Sequence, residues 1–172
     1  MNLRFSPFVS IIIPTYNHAK FLDKALKSVI DQTFNNWEVV VIDNHSTDQT
    51  KEIINKYTDS RIRYFKIINN GIIAKSRNMG VKVSKGKWIA FLDSDDWWTK
   101  NKLEMCFKNI DDKIDFIYHK LDIIYDHSKS YLQKKKHVGR QLRKPILNDL
   151  LNSEIKLGNA IGNSSVIVRK DI

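Results

Sequence analysis

One cysteine, Cys106, stands alone in 172 residues, so no disulfide framework and no cysteine-rich zinc module can be built. Three prolines and six glycines are too few for a collagen or a Pro/Gly-rich disordered chain. The glycines, at 71, 80, 86, 139, 158 and 162, are scattered, and none follows the first strand-like run. Neither GxGxxG nor GxxxxGKS/T occurs, which speaks against a dinucleotide fold and a P-loop. Long apolar runs are missing too. Phe8 to Ile13 is stopped by Pro14, short of a secretory h-region and of the roughly 20 apolar residues of a membrane span. A soluble cytoplasmic protein is the expectation. Acid is scarce: Asp+Glu number 19 against 29 Lys+Arg. The net charge of +10 invites an anionic partner, whether nucleic acid, a membrane surface or a phosphorylated substrate.

What is present is globular. With 42% hydrophobic and 28% charged residues the chain is neither disordered nor a coiled-coil rod, and its length suits one domain over 1–172. The first hundred residues alternate two periodicities. Val9 to Ile13 is a β-branched run closed by a proline and reads as a buried strand. Phe21, Leu22, Ala25, Leu26, Val29 and Ile30 recur at helical spacing within 19–32. Trp37 to Ile42 is a second buried strand. Ser46, Thr47 and Asp48 offer caps for a helix carrying Ile53, Ile54 and Tyr57 on one face. Residues 61–67 alternate as a strand, 73–84 are helical, and 87–92 form another buried strand. This β-α-β-α-β-α-β order predicts an α/β sandwich with a mainly parallel sheet. Leu103, Cys106, Phe107 and Ile110 mark a further helix, with Cys106 on its apolar face. Residues 114–125 and 164–169 read as strands, 145–151 as a short helix. Residues 129–144 hold seven Lys/Arg and no acid.

Ligands of open parallel sheets sit outside the carboxyl ends of the strands. Here those ends run into Pro14-Thr15-Tyr16-Asn17, Asp43-Asn44-His45-Ser46 and Asp93-Ser94-Asp95-Asp96. Three acids within four residues repel unless a cation or hydrogen bonds offset them. One reading is an Asp-rich turn that caps the following helix. The other is a Mg2+ or Mn2+ site in which Asp93 and Asp95 hold the metal and the metal meets substrate phosphates. A position directly after a buried strand favours the metal.

The stretches VSIIIPTYNHAKFLDKALKSVIDQTF, WEVVVIDNHSTDQT and AKSRNMGVKVSKGKWIAFLDSDD resemble the family 2 glycosyltransferases of GT-A fold, in order and spacing, over residues 8–104. The resemblance implies a three-layer α/β/α sandwich whose 8–104 part binds the donor nucleotide and whose 105–172 part begins the acceptor side. It implies an inverting hexosyl- or glycosyltransferase that moves a sugar from a nucleotide donor, usually a UDP-sugar, to an acceptor hydroxyl in bacterial surface polysaccharide synthesis. Pro14, Thr15 and Tyr16 would line base and ribose, with Asp43 and Asn44 at the base-binding end and Arg77 facing the nucleotide. Asp93 would reach ribose or metal, Ser94 lies between the acids, and Asp95 would ligate the metal on the diphosphate. Many members carry two acids where this chain has Asp43-Asn44, which bears on base preference. The family's general base, an Asp in a Glu-Asp motif after a strand like SSVIVR, has no counterpart before Ile172. The expectation is a C-terminally truncated domain with its base beyond Ile172.

Each residue also has a plainer role. Tyr16 could pack under the sheet rim, Arg77 could lie on a solvated helix face, and Asn17 and Ser46 suit helix N-caps. His18, His45, His119, His127 and His137 lack metal-ligand spacing and read as surface or loop residues. Trp97 and Trp98 could wall the acceptor side, or one could be core. As whole-chain alternatives there remain a non-catalytic nucleotide-binding remnant and a basic nucleic-acid module. Against the latter, the basic residues are not interleaved with aromatics in a stacking motif, so no nucleic acid is expected. Residues 129–144 could instead draw the protein to the inner face of the plasma membrane, beside a glycan or lipid-linked acceptor.

Overall fold

The β-branched run forms β1 (Val9–Thr15), buried along its whole length, as a central strand covered on both faces must be. It lies between β2 (Trp37–Asp43) and β4 (Trp88–Phe91), parallel to both. Outside β2 runs β3 (Ile62–Lys66), also parallel. On the other side β6 (Ile167–Arg169) is antiparallel to β4, and β5 (Phe116–Ile117) is antiparallel to β6. The strand order is β3-β2-β1-β4-β6-β5. This is the arrangement of a computed structural model, which describes residues 6–108, 110–119 and 162–171. All of these except Gly162 belong to one compact unit. Residues 120–125 of the expected strand, the basic run 129–144 and the expected helix 145–151 lie outside the described residues.

Strand parity assigns the layers. Val9, Ile11 and Ile13 share a cluster with Trp37, Val39 and Val41 of β2. Leu22, Leu26 and Val29 of α1 (Ala19–Ile30), Ile54 of α2 (Thr50–Asn55) and Leu103 of α4 (Lys102–Phe107) belong to it, as do Trp88 and Ala90 of β4 and Ile167 of β6. The even-numbered residues of β1 face the other way, against α3 (Ile73–Val83). At Gly80 of α3 an added Cβ would lie 2.4 Å from Ile12 Cγ2, so only glycine lets this helix come so close. Helices thus cover both faces of a mostly parallel sheet, and the expected three-layer sandwich is what forms. Cys106 is half-buried against the core, where burial pushes its thiol pKa up.

Three details differ from the sequence expectation. Pro14 does not close β1, which runs on to Thr15. Ile12 O accepts Leu92 N–H on the β4 side, and Thr15 O accepts Asn44 N–H on the β2 side. By alternation the missing N–H of Pro14 falls on the β4 side, beyond the end of that strand, where no ladder bond is lost. Residues 163–165 are a 3-10 turn rather than strand, because the Ser164 side chain bonds a neighbouring loop instead of extending a ladder. Asn17 and Ser46 do not cap their own helices. They tie two loops together.

A buried polar cluster holds the amino-terminal end of the α3 face. Glu38 is 3% exposed. Its Oε1 accepts Ser10 Oγ–H and Lys85 N–H, each at 2.6 Å, and its Oε2 accepts from Arg63 at 2.8 Å. Burial alone would raise the carboxyl, but these hydrogen bonds outweigh it and hold the pKa below the ordinary carboxylate value. A depressed folded-state pKa gives stability that is complete above the unfolded pKa and lost as pH falls through the folded one. Glu38→Gln is therefore expected to cost about 3 kcal/mol at pH 7, where Arg63 loses its buried partner. Urea unfolding should show the gap to the native chain narrowing as pH falls below the ordinary carboxylate pKa; a pH-independent gap would refute the assignment.

Candidate functional site

The carboxyl ends of β1, β2, β3 and β4 meet on one rim, and polar side chains weave its loops together. Asn17, at φ 50°, donates its N–H to Ser46 Oγ at 2.9 Å and accepts Thr47 N–H on Oδ1 at 2.8 Å. Asp48 accepts Ala19 N–H at the start of α1 and Thr50 N–H at the start of α2. Burial opposes ionisation of Asp48, but these bonds and that from the Thr50 hydroxyl hold its pKa low. One carboxylate thereby serves two helix starts, where anionic oxygen is favoured.

Asp43, at the end of β2, is 1% exposed. Its Oδ1 accepts Ser46 N–H and Oγ–H, and its Oδ2 accepts Tyr64 Oη–H at 2.6 Å. Burial, and then this hydrogen bond, raise the Tyr64 pKa. Asp43 lies at the expected strand end with both oxygens engaged inside the fold. Next to it, half-buried Asn44 accepts Asn69 N–H on Oδ1 at 2.8 Å, which leaves its amide N–H2 as the group on offer. Asn69 Nδ2 then donates to Ser76 Oγ, beside Arg77.

Arg77 does not lie on a solvated face. Its side chain is 17% exposed and pairs with Asp93 Oδ1 at 2.6 Å. Arg77 Nε is buried without a hydrogen-bond partner, as is Thr15 Oγ1 at the end of β1. Unpaired buried polar groups cost about 1–3 kcal/mol each, and native folds keep few of them. Pro14 is buried, while Tyr16 projects from the rim at 54% exposure and is not packed beneath it.

In the acidic loop, Ser94 is buried and its Oγ is hydrogen-bonded to His18 Nδ1 at 2.8 Å. Asp93 N–H donates to Ser164 Oγ, Ser164 Oγ–H donates to Asp96, and Trp98 Nε1–H donates to Ser164 O. Burial raises the Asp96 pKa; the Ser164 bond works against this, and the charges of Asp95 and Asp93 add to it. Asp95 is exposed and takes no hydrogen bond or ion pair among the described residues. Of the two tryptophans, Trp98 is core and Trp97 is 41% exposed, with Lys24 Nζ 3.1 Å from its ring centroid. Behind the loop Lys102 Nζ lies 3.5 Å from the Trp98 ring centroid without a hydrogen-bond partner, and burial lowers its pKa to about 7.

Among the described residues no three His, Cys, Asp or Glu side chains converge into a metal group. The rim instead offers two hard carboxylates, Asp93 and the unengaged Asp95. That donor set suits a divalent cation sharing its coordination with substrate phosphates and water rather than an all-protein cage. Sequence reasoning missed Asn69, Ser164 and the role of His18. Their signal is weak, since single polar residues in loops carry no periodicity. Among the described residues no helix is long and apolar enough to cross a membrane.

Comparisons with known proteins bear on the family and the fold. Residues 10–172 match the profile described as Glycosyl transferase family 2. WfgD of Escherichia coli, named UDP-Glc:alpha-D-GlcNAc-diphosphoundecaprenol beta-1,3-glucosyltransferase, is 40% identical over 124 residues, 70% of this chain and 48% of that protein. TuaG of Bacillus subtilis, named for teichuronic acid biosynthesis, is 39% identical over 102 residues, 58% of this chain and 40% of its own. The crystal structure of S. aureus TarS 1-349 in complex with UDP-GlcNAc superposes with a TM-score of 0.72 at 29% identity, over 94% of this chain and 45% of that one. The chain spans less than half the length of each of these three proteins.

Proposed function

The chain belongs to glycosyltransferase family 2, and on that premise we propose that it binds a UDP-sugar at the carboxyl rim of its sheet. The sugar passes, with inversion, to a hydroxyl of a lipid-linked glycan in bacterial surface polysaccharide synthesis. The observation that carries this reading is the meeting of the Arg77–Asp93 pair with the unengaged Asp95 carboxylate beside the ends of β1 and β2. The names of WfgD and of the TarS complex, with UDP-Glc and UDP-GlcNAc, support a uridine donor. WfgD's name also supports the lipid-linked acceptor.

The roles follow from the groups each residue leaves free. The exposed Tyr16 ring offers a stacking face to the base. Asn44, with Oδ1 committed to Asn69, donates through its amide and therefore reads a carbonyl, of which uracil has two. Asp43 fixes the loop that presents Asn44. Arg77 gives positive charge beside the diphosphate, and its unpartnered Nε has a donor to spare. Asp93 and Asp95 would hold Mn2+ or Mg2+, which supplies charge compensation for the leaving diphosphate. Residues 8–104 make up the donor half.

The test is thermal denaturation of this chain with UDP, GDP or dTDP, each with MnCl2. Saturating UDP with Mn2+ is expected to raise the melting temperature by about 5 °C or more, the shift for ligand near 100 Kd on a domain of this size. No shift with any of the three nucleotides would sink the donor site. A GDP shift as large as that with UDP would overturn the uridine preference.

A further inference from the structure

The acidic loop turns sharply, and its two flanks and its corner are held from different sides. Asp96 N–H donates to Asp93 O at 3.0 Å, which makes Asp93–Asp96 a tight turn with Ser94 and Asp95 as its central residues. Arg77 and Ser164 fix the Asp93 flank, and the Ser164 hydroxyl fixes the Asp96 flank. At the corner, Ser94 is 4% exposed and Asp95 is exposed, so one side chain enters the protein and the next leaves it. The Ser94 hydroxyl meets His18 Nδ1 at 2.8 Å, across 76 residues of chain. Either imidazole tautomer serves, since a hydroxyl both donates and accepts.

His18 stands on a firm base. Asn17 before it is bonded to Ser46 and Thr47, and Ala19 after it donates its N–H to Asp48. The His18 carbonyl accepts the N–H groups of Phe21 and Leu22 in the first turn of α1. Its half-buried ring packs T-shaped against Phe21, with centroids 5.8 Å apart. The corner has something to resist. Three acids within four residues repel, and the Asp95 carboxylate takes no bond that would oppose its displacement. Among the described residues, the Ser94–His18 contact is the side-chain hydrogen bond that holds this corner.

We propose that His18 is a positioning residue for the metal: through Ser94 it fixes the turn so that the Asp95 carboxylate is already in place when the cation arrives. This deepens, and rests on, the reading of Asp93 and Asp95 as the holders of Mn2+ or Mg2+. A group behind a metal ligand spares the site the ordering that binding would otherwise demand. Loss of the tether should therefore weaken the metal's contribution and leave the nucleotide contacts of Asn44 and Arg77 intact.

Thermal denaturation at constant UDP, with MnCl2 varied or replaced by EDTA, separates the two. His18→Ala is expected to need about 10-fold more Mn2+ than the native chain for the same melting shift. Its shift with UDP in EDTA should match the native one. Without ligands it should melt about 2–4 °C lower, the effect of one lost hydrogen bond in a domain of this length. His18→Asn places an amide atom where Nδ1 was and should restore the native Mn2+ requirement. Ser94→Ala should behave as His18→Ala does, and the double variant no worse, because the two residues act as a pair. A native Mn2+ requirement in His18→Ala overturns the proposal and leaves the donor reading standing. So does a loss in EDTA as large as that in Mn2+, or a His18→Asn protein no better than His18→Ala; either would mean that the imidazole meets the nucleotide or the metal directly. No shift in the native chain removes the donor reading, and this proposal with it. If His18→Ala fails to fold, Ser94→Ala, which removes one hydroxyl, carries the same expectation.

Discussion

Asp95→Ala is expected to abolish the melting-temperature rise expected of the native chain with UDP and Mn2+, while leaving the unliganded protein nearly unchanged. The unliganded protein tolerates the change because of where Asp95 lies. Asp95 is exposed and engages nothing in the described fold, so truncating it removes no contact, and the cost should stay within about 0.5 kcal/mol. Removing a charge beside Asp93 and Asp96 also relieves repulsion. A cation between the loop and a diphosphate needs hard oxygen ligands, and Asp95 is the acid here with both oxygens free. Asp93→Ala is the poorer experiment, because it also strips the partner from Arg77 and mixes the two effects. Thermal scans of the apo and UDP/Mn2+ forms decide it. A full shift in the variant removes Asp95 from the metal site, and a lost shift accompanied by a collapsed apo melting temperature would assign Asp95 a structural role instead.

Gly86→Ala is expected to lower the melting temperature by about 10 °C or to prevent folding. A Cβ at Gly86 would stand 2.6 Å from Ser10 N and 2.8 Å from both Ser10 Oγ and Val9 C. Two of these atoms are backbone of the central strand and cannot swing away as a side-chain tip could. Gly86 N–H also donates to Ser10 Oγ at 2.8 Å, and Ser10 Oγ–H in turn donates to Glu38. The clash therefore strikes β1 and the buried carboxylate together. Overpacking of this kind costs about 3 kcal/mol or more, and each kcal/mol is worth about 2–4 °C in a domain of this length. Gly80→Ala meets a side-chain methyl, Ile12 Cγ2, at 2.4 Å in place of strand backbone, and is expected to destabilise as well because the β-branched, fully buried Ile12 has little room to turn. Circular dichroism melts of the two variants give the comparison; a Gly86→Ala protein as stable as the native one would show that the approach of residue 86 to β1 is looser than described.

The sheet was legible in the sequence because burial repeats. Val9, Ile11 and Ile13 against Ser10 and Ile12 announce a strand covered on both sides, and Leu22, Ala25, Leu26 and Val29 announce the helix above it. The rim was legible for a related reason: polar residues placed where a buried run ends must lie at a strand's edge. What escaped was the wiring of the rim. Asn17 and Ser46 each have a local cap open to them, yet each bonds across 29 residues to the other's loop. Asn69 makes four hydrogen bonds and leaves no mark on the hydrophobic pattern. Ser164 sits in a run that alternates like a strand, and its hydroxyl diverts it into a turn. Side-chain hydrogen bonds between loops depend on where the loops meet, which is decided only after the strands have paired.

The clamp made by Ser164 carries a consequence for the order in which this protein is built. All the acids of the loop are synthesised by residue 96, but the hydroxyl that holds Asp93 and Asp96 and the carbonyl that holds Trp98 arrive about seventy residues later. A contact that spans so much chain pays its loop-closure entropy before it returns anything. On the ribosome the β1–β4 sheet can therefore assemble first, with its acidic loop still unfastened. The loop takes its shape only when the segment carrying Ser164 pairs with β4 as β6, so the acidic loop and that antiparallel pair are completed together in a single late step.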